Sequence, residues 1–192
     1  MALHASDSPA RHGATGAPRR GAGSQDDVLV RAPAARKVLA ASRVLVGFYF
    51  LWAFLDKTFG LGRATPSGGS WLNGGSPTEG FLLHGTTGPF AHMFDSVAGA
   101  WWLDLVFMLG LLGVGLAMIL GIGMRIAAAA GTLMMAFMWL VSLWPDSNPF
   151  MDDHWMIALV LLITAATGAG RYYGLGGVWA QLPAVRKNRW LV

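Results

Sequence analysis

Polar residues nearly vanish from four stretches of the chain. They are Val38–Thr58 (interrupted by Arg43), Leu105–Met124, Ile126–Trp144 and His154–Gly170. Each is long enough for a helix that crosses a bilayer, since about 20 residues at 1.5 Å rise span roughly 30 Å of hydrocarbon. Residues 1–33 show no apolar period and are rich in Ala, Gly, Ser, Pro and Arg, which predicts a disordered tail. A long polar loop, residues 60–102, separates the first two spans. Pro89 opens a short predicted helix through Val97 within it, and its Phe90, Met93, Phe94 and Val97 suit a membrane surface.

The expected fold is all-α: an integral membrane four-helix bundle over residues 34–178, with a basic tail at 179–192. Composition agrees. The chain is 54% hydrophobic and 12% charged, against about a quarter charged for soluble domains, and its mean hydropathy is +0.48. The first apolar stretch begins too late for an ordinary secretory signal, and no apolar run follows Arg19-Arg20 directly.

Charge orients the spans. With the N-terminus inside, twelve of the 14 Lys/Arg face three acids on the inner side, while Lys57 and Arg63 face seven acids outside. The positive-inside rule then puts both termini in the cytoplasm. This asymmetry accounts for the net charge of +4 without nucleic-acid binding. Trp101, Trp102, Trp144 and Trp155 suit an outer aromatic belt, and Tyr172, Tyr173 and Trp179 an inner one. Arginine exceeds lysine eleven to three, and Ala and Gly abound, as in a GC-rich bacterial genome. The expected location is a bacterial plasma membrane, surrounded by lipid, and a homo-oligomer is compatible with it.

The topology gathers Lys57, Asp104, Asp146/Asn148 and Asp153/His154 at one outer rim. Helical faces refine this. With Arg43 at 0°, Gly47, Phe50, Phe54 and Lys57 all fall within about 40°, a single stripe with cations about 21 Å apart. Either the two cations snorkel to opposite interfaces, or the stripe faces the bundle. Trp52 lies opposite and faces lipid; Asp56 also points away. In the last span His154, Ala158, Leu161, Ala165 and Gly168 share a small-residue face, which suits close helix packing. His154 therefore points inward, as a structural hydrogen-bonding group or a functional one. Asp152 and Asp153 point elsewhere and suit capping of the helix N-terminus. Gly113, Ala117 and Gly121 form a ladder expected to pack on a neighbouring helix.

Several chemistries are excluded. Without cysteine there is no disulfide, thiol chemistry or Cys-ligated iron–sulfur cluster. Of the five histidines, only His154 adjoins a span, so a bis-histidine haem lacks its second ligand. His84, His92 and His154 with nearby acids have no diagnostic zinc spacing, so no metal is expected. The Gly-rich phrases are not nucleotide fingerprints, because no strand precedes them. No acid or base stands at midplane in the last three spans, which disfavours a coupled transporter.

The spacing R-x3-G-x2-F-x3-F-x2-K (Arg43, Gly47, Phe50, Phe54, Lys57) resembles the opening motif of the DoxX/DoxD membrane family. That family often has glycine at Phe54 or beside it. LGLLGVGLAMILGIGMR resembles its Gly-rich second helix. DDHWMIALVLLITAATGAGRYYGLGG resembles its last helix and G-x-G-R-x-x-G-L ending, and the long outer loop is DoxD-like. The likeness covers about residues 38–178. It implies a four-helix inner-membrane protein linked to quinone-coupled oxidation, as in the membrane subunit type of thiosulfate:quinone oxidoreductase. Other members are associated with oxidative-stress defence beside soluble partners. No covalently bound cofactor is expected, and quinone is the co-substrate. The expected catalytic set is Lys57, His154 and Asp104, with Arg43, Phe50, Phe54 and Asp153 at the quinone. Lys57 could also attract thiosulfate, although the acidic outer face opposes anion capture. The alternative is a non-catalytic scaffold that recruits a soluble redox enzyme through its basic tails, Arg19, Arg20, Arg36, Lys37, Arg186, Lys187 and Arg189. A small-molecule permease ranks third.

Overall fold

A computed structural model describes residues 30–86, 88–145 and 148–192. Residues 1–29 of the expected tail, with His4, His12, Arg19 and Arg20, and the rim residue Asp146 lie outside these, while Pro33, expected in the tail, already opens a helix.

The described residues are helical, with no strand among them. Helix α1 runs Pro33–Phe59. Pro33 opens it, where the missing N–H costs nothing, and Gly60 at φ 65° closes it by donating to the Asp56 carbonyl at 2.8 Å. Two short helices, α2 (Glu79–His84) and α3 (Ala91–Asp95), lie in the loop. The expected helix from Pro89 is thus shorter than its sequence suggests. Next come α4 (Trp101–Leu120), α5 (Met124–Val141) and α6 (Asp153–Ala166), then the small terminal helices α7 (Gly176–Trp179) and α8 (Pro183–Lys187).

Three helices, α1, α4 and α5, are long and apolar enough to cross a membrane. The second and third expected spans shift toward the N-terminus. The apolar run continues through Gly121 and Gly123, but both adopt positive φ (75° and 56°), which ends α4 at Leu120 and starts α5 at Met124. The last helix is shorter than expected. Gly168 at φ 64° stops it, leaving 14 residues, about 21 Å.

Helix α1 packs on α4, α4 on α5, α5 on α6, and α6 back on α1. Successive long helices run antiparallel: Gly47 meets Ile119 while Leu51 meets Gly115. The core between them is built largely from Phe50, Met108, Val114, Met118, Met135 and Leu161. The outward faces are also apolar, with Leu45, Val106, Leu109, Leu133, Phe137 and Leu159 exposed. Helices apolar on every side suit lipid contact.

Glycine sets how closely α1 and α4 approach. A Cβ on Gly47 would lie 2.9 Å from the Ile119 nitrogen, and one on Gly115 would lie 2.8 Å from the Leu51 nitrogen. The expected ladder is corrected here. Gly113 is exposed, with open space where a Cβ would stand, and the contact runs through Gly115 on a different face. Gly121 does pack closely, against Gly170.

The stripe on α1 faces inward. Arg43 and Phe50 are fully buried, and Phe54 packs on the core. Arg43 does not snorkel. Its guanidinium donates to the Met118 carbonyl, to that of Ile119 at 2.7 Å and to that of Tyr173 at 3.3 Å. It therefore satisfies the end of α4, whose last carbonyls have no partners within the helix. It also ties the segment after α6 to that end.

Candidate functional site

The end opposite Arg43 gathers the last turn of α1 and the first turns of α4 and α6. Lys57 is half-buried there. Its Nζ donates to the Pro77 carbonyl at 3.1 Å and stands 5.9 Å from the centre of the Phe107 ring. The Asp56 and Asp104 carboxylates both act on it through space.

Asp104 explains why Pro77 is in place. Its carboxylate is buried in the first turn of α4 and accepts three bonds from the loop. They come from the Ser76 hydroxyl at 2.9 Å, the Thr78 hydroxyl at 2.6 Å and the Thr78 N–H at 3.0 Å. Asp56 does the same for the loop's start, accepting from the Arg63 and Ala64 amides at 3.2 and 3.0 Å. As expected, it faces away from the Lys57 stripe. Two buried carboxylates thus clamp the loop at both sides of the Lys57 ammonium. Buried charges of this kind persist because hydrogen bonds meet them.

On α6, Asp152 is the cap. Its Oδ1 accepts from the His154 amide at 3.1 Å, while Oδ2 lies 2.7 Å from His154 Nδ1. The expectation that Asp152 points away from His154 is therefore corrected: one carboxylate serves both the cap and the ring. A carboxylate can only accept, so Nδ1 carries the hydrogen, and in the neutral ring Nε2 is the proton acceptor. Asp153 is exposed in the first turn, within electrostatic reach of the Tyr49 hydroxyl on α1. The ligand atoms of Asp152, Asp153 and His154 lie within 4.8 Å of one another, but Asp152 is already committed to the cap. Of the other histidines, His84 turns its Nδ1 to the Gly80 carbonyl of its own helix at 3.1 Å, and His92 is exposed.

Lys57 and His154, expected at one rim, do occupy the same end, yet each has a different partner. Lys57 and Asp104 belong to the loop clamp, and His154 and Asp152 to the start of α6. Arg43 sits at the far end, with its two terminal nitrogens donating to carbonyls.

Beside the clamp a groove of about 370 Å³ opens along the outer face of α1. Leu45, Phe48, Tyr49, Trp52, Ala53 and Ala64 line it, and Asp56 and Lys57 close its upper end. Phe48 and Trp52 have ring centres 6.1 Å apart. Arg43, Phe50 and Phe54 do not line this groove, so the aromatics nearest Lys57's open side are Tyr49 and Trp52. Sequence reasoning set Trp52 aside as lipid-facing and gave Tyr49 no role. The signal was present in the helical period, which puts Tyr49 and Asp56 about 20° apart on one face.

The arrangement offers an apolar groove walled by Tyr49 and Trp52, with the Lys57 ammonium at its end. That suits a ligand with an aromatic or quinonoid head and a lipid-soluble body. No family model, curated protein or solved structure matches the chain.

Proposed function

We propose that the chain is a DoxX/DoxD-type membrane subunit that passes electrons from a small reductant, thiosulfate first among candidates, to quinone. In this reading it forms a four-helix bundle with both termini on the cytoplasmic side of a bacterial plasma membrane. The packing of α6 supports the fourth crossing. Trp155 meets Trp139 edge to face at one end, with ring centres 5.3 Å apart, and past the end of α6 Gly170 meets Gly121. The segment from α6 through Gly170 thus runs alongside α5, which supports a fourth crossing made by α6 together with the residues that follow it.

The groove on α1 carries the functional reading. A quinone ring needs a flat apolar slot open to lipid, and its carbonyl oxygens need a donor near the interface. Tyr49 and Trp52 supply the walls and Lys57 the donor. Two thiosulfates each give up one electron and join through a new S–S bond as tetrathionate. The quinone takes both electrons and two protons to become the quinol. The chain has no cysteine, so electrons pass directly between substrates or through a partner subunit. His154, with Nδ1 held by Asp152, is the group suited to relay protons at that end. Asp104 is a positioning residue, because it holds the loop whose Pro77 carbonyl orients Lys57. This reading leaves Arg43 and Phe50 to the fold.

The test is thiosulfate-dependent quinone reduction in membranes containing the protein, beside Lys57→Ala and His154→Ala at matched expression. Loss of rate by about a hundredfold in both variants is the expected result. No activity in the wild type removes thiosulfate as donor. Activity unchanged in both variants moves the chemistry away from this end.

One observation favours a second reading. Arg43, Asp104 and Asp152 all spend their charge inside the fold, as in a rigid scaffold that recruits a soluble redox enzyme through its basic end. A soluble partner captured by a wild-type protein that does not bind quinone would select it.

A further inference from the structure

The chain after α6 folds back across the Arg43 end of the bundle, and three long helices hold it there. The Leu175 N–H donates to the Leu120 carbonyl at the end of α4 at 2.8 Å. Arg125 of α5 donates to the Arg189 carbonyl at 3.3 Å. The guanidinium of Arg36 on α1 stands 5.3 Å from the centre of the Tyr172 ring. Within the segment the Trp179 indole donates to the Leu191 carbonyl at 2.8 Å, and Val185 of α8 is only 2% exposed. The segment therefore has a fixed inner side and a fixed outer side.

The outer side is apolar. Tyr173, Leu175, Val178, Leu182 and Trp190 are exposed, Val178 by 65% and Trp190 by 62%. Apolar side chains grouped on one side of a folded segment mark a surface that something covers. Two observations say what covers this one. The group is continuous with the apolar outward surface of the long helices. Leu175 is bonded to Leu120, which is itself exposed, and Ile126 is exposed in the first turn of α5, beside the arginine that holds the Arg189 carbonyl. The charge set among the group is also positive. Arg186, Lys187 and Arg189 are exposed between Leu182 and Trp190, and residues 154–192 contain no Asp or Glu. Even with a terminal carboxylate on Val192 counted, three cations stand against one anion. Aliphatic and aromatic side chains set beside Lys and Arg suit the layer where phospholipid headgroups meet acyl chains. The cations favour anionic lipid there.

We propose that this C-terminal segment lies in the headgroup layer of the membrane and binds anionic phospholipid. Leu175, Val178, Leu182 and Trp190 enter the tops of the acyl chains, and Arg186, Lys187 and Arg189 meet the phosphates. The proposal rests on α1, α4 and α5 crossing a bilayer and is independent of the quinone chemistry proposed for the other end.

The chain has no cysteine, so a single introduced thiol reports on one position. The full chain is placed in nanodiscs, which leave both faces open to water, made of phosphatidylcholine alone or with phosphatidylglycerol added. Val178→Cys, Leu182→Cys and, as a reference in the exposed loop, Ser67→Cys are each modified with a neutral polyethylene-glycol maleimide. With phosphatidylglycerol present, the thiols at 178 and 182 should react about tenfold more slowly than the one at 67. Combining Arg186→Gln, Lys187→Gln and Arg189→Gln should weaken that protection by about fivefold per cation lost. The combination leaves the Arg189 carbonyl, and so its bond from Arg125, in place. Arg63→Gln, an exposed cation at the other end, should change nothing. In phosphatidylcholine alone the protection should be smaller and indifferent to the three substitutions. If the combined variant does not fold, Lys187→Gln alone decides, since its side chain is exposed. Thiols at 178 and 182 that react as fast as the one at 67 in both lipids would overturn the proposal and leave the patch to a soluble partner. Protection that is equal with and without phosphatidylglycerol would overturn it too, by leaving the cations no part in lipid choice.

Discussion

Arg43 donates to the Ile119 carbonyl at 2.7 Å, across 76 positions of sequence. One buried cation near the start of α1 thus finishes the end of α4. The Arg43→Ala variant strands those carbonyls in an apolar interior and should destabilise the protein by about 3 kcal/mol. Arg43→Lys should recover less than half of that, because a single ammonium cannot reproduce the guanidinium fork. Thermal unfolding in detergent reads both. A variant as stable as wild type would remove the role given to this contact.

Gly113 and Gly115 make a sharper pair. They stand two residues apart on α4, yet one meets α1 and the other faces outward. Gly115→Ala should cost about 2 kcal/mol, since the Leu51 backbone cannot yield without separating the helices. Gly113→Ala should be neutral or stabilising by up to about 1 kcal/mol through helix propensity. Comparing the two melting curves checks the register of the α1–α4 contact directly.

The Asp104 clamp predicts a coupling. Asp104→Ala and Thr78→Val each break the 2.6 Å bond between the two side chains. Their double variant should lose about 1 kcal/mol less than the sum of the single losses. Limited proteolysis within residues 60–100 should accelerate in Asp104→Ala, because the loop is released from α4. Additive losses and unchanged cleavage would mean that the clamp does not hold the loop.

Removing the cap tests the start of α6. Asp152→Ala should cost about 1 kcal/mol, and nitrogen NMR of His154 should show the loss of its Nδ1–H preference. An unaltered tautomer would contradict the Asp152–His154 bond.

Much of this was legible in sequence because helical period is local. The stripe from Arg43 to Lys57, though not the side it faces, the buried face of Ala158 and Leu161, and Asp152 as a cap all follow from 3.6-residue spacing and from the residue types that accept N–H bonds. The breaks at Gly121 and Gly168 were not legible. Hydropathy runs smoothly through them, and only backbone φ marks the turn. Asp104's partners lie 26 and 28 residues away in the loop, a distance no periodic pattern encodes. The groove was missed for a related reason. Trp52 and Tyr49 look like ordinary lipid-facing aromatics until Ala64 of the loop folds back beside Asp56 and Lys57 to close one end.

The most direct test of the central claim is photo-crosslinking of the purified protein with an azido-quinone, followed by peptide mapping. The account predicts label on the peptide spanning residues 45–64, concentrated at Tyr49 and Trp52. It should be displaced by unmodified quinone and strongly reduced in Lys57→Met. Label spread over all lipid-facing helices, or undiminished in Lys57→Met, would contradict a quinone site in the α1 groove.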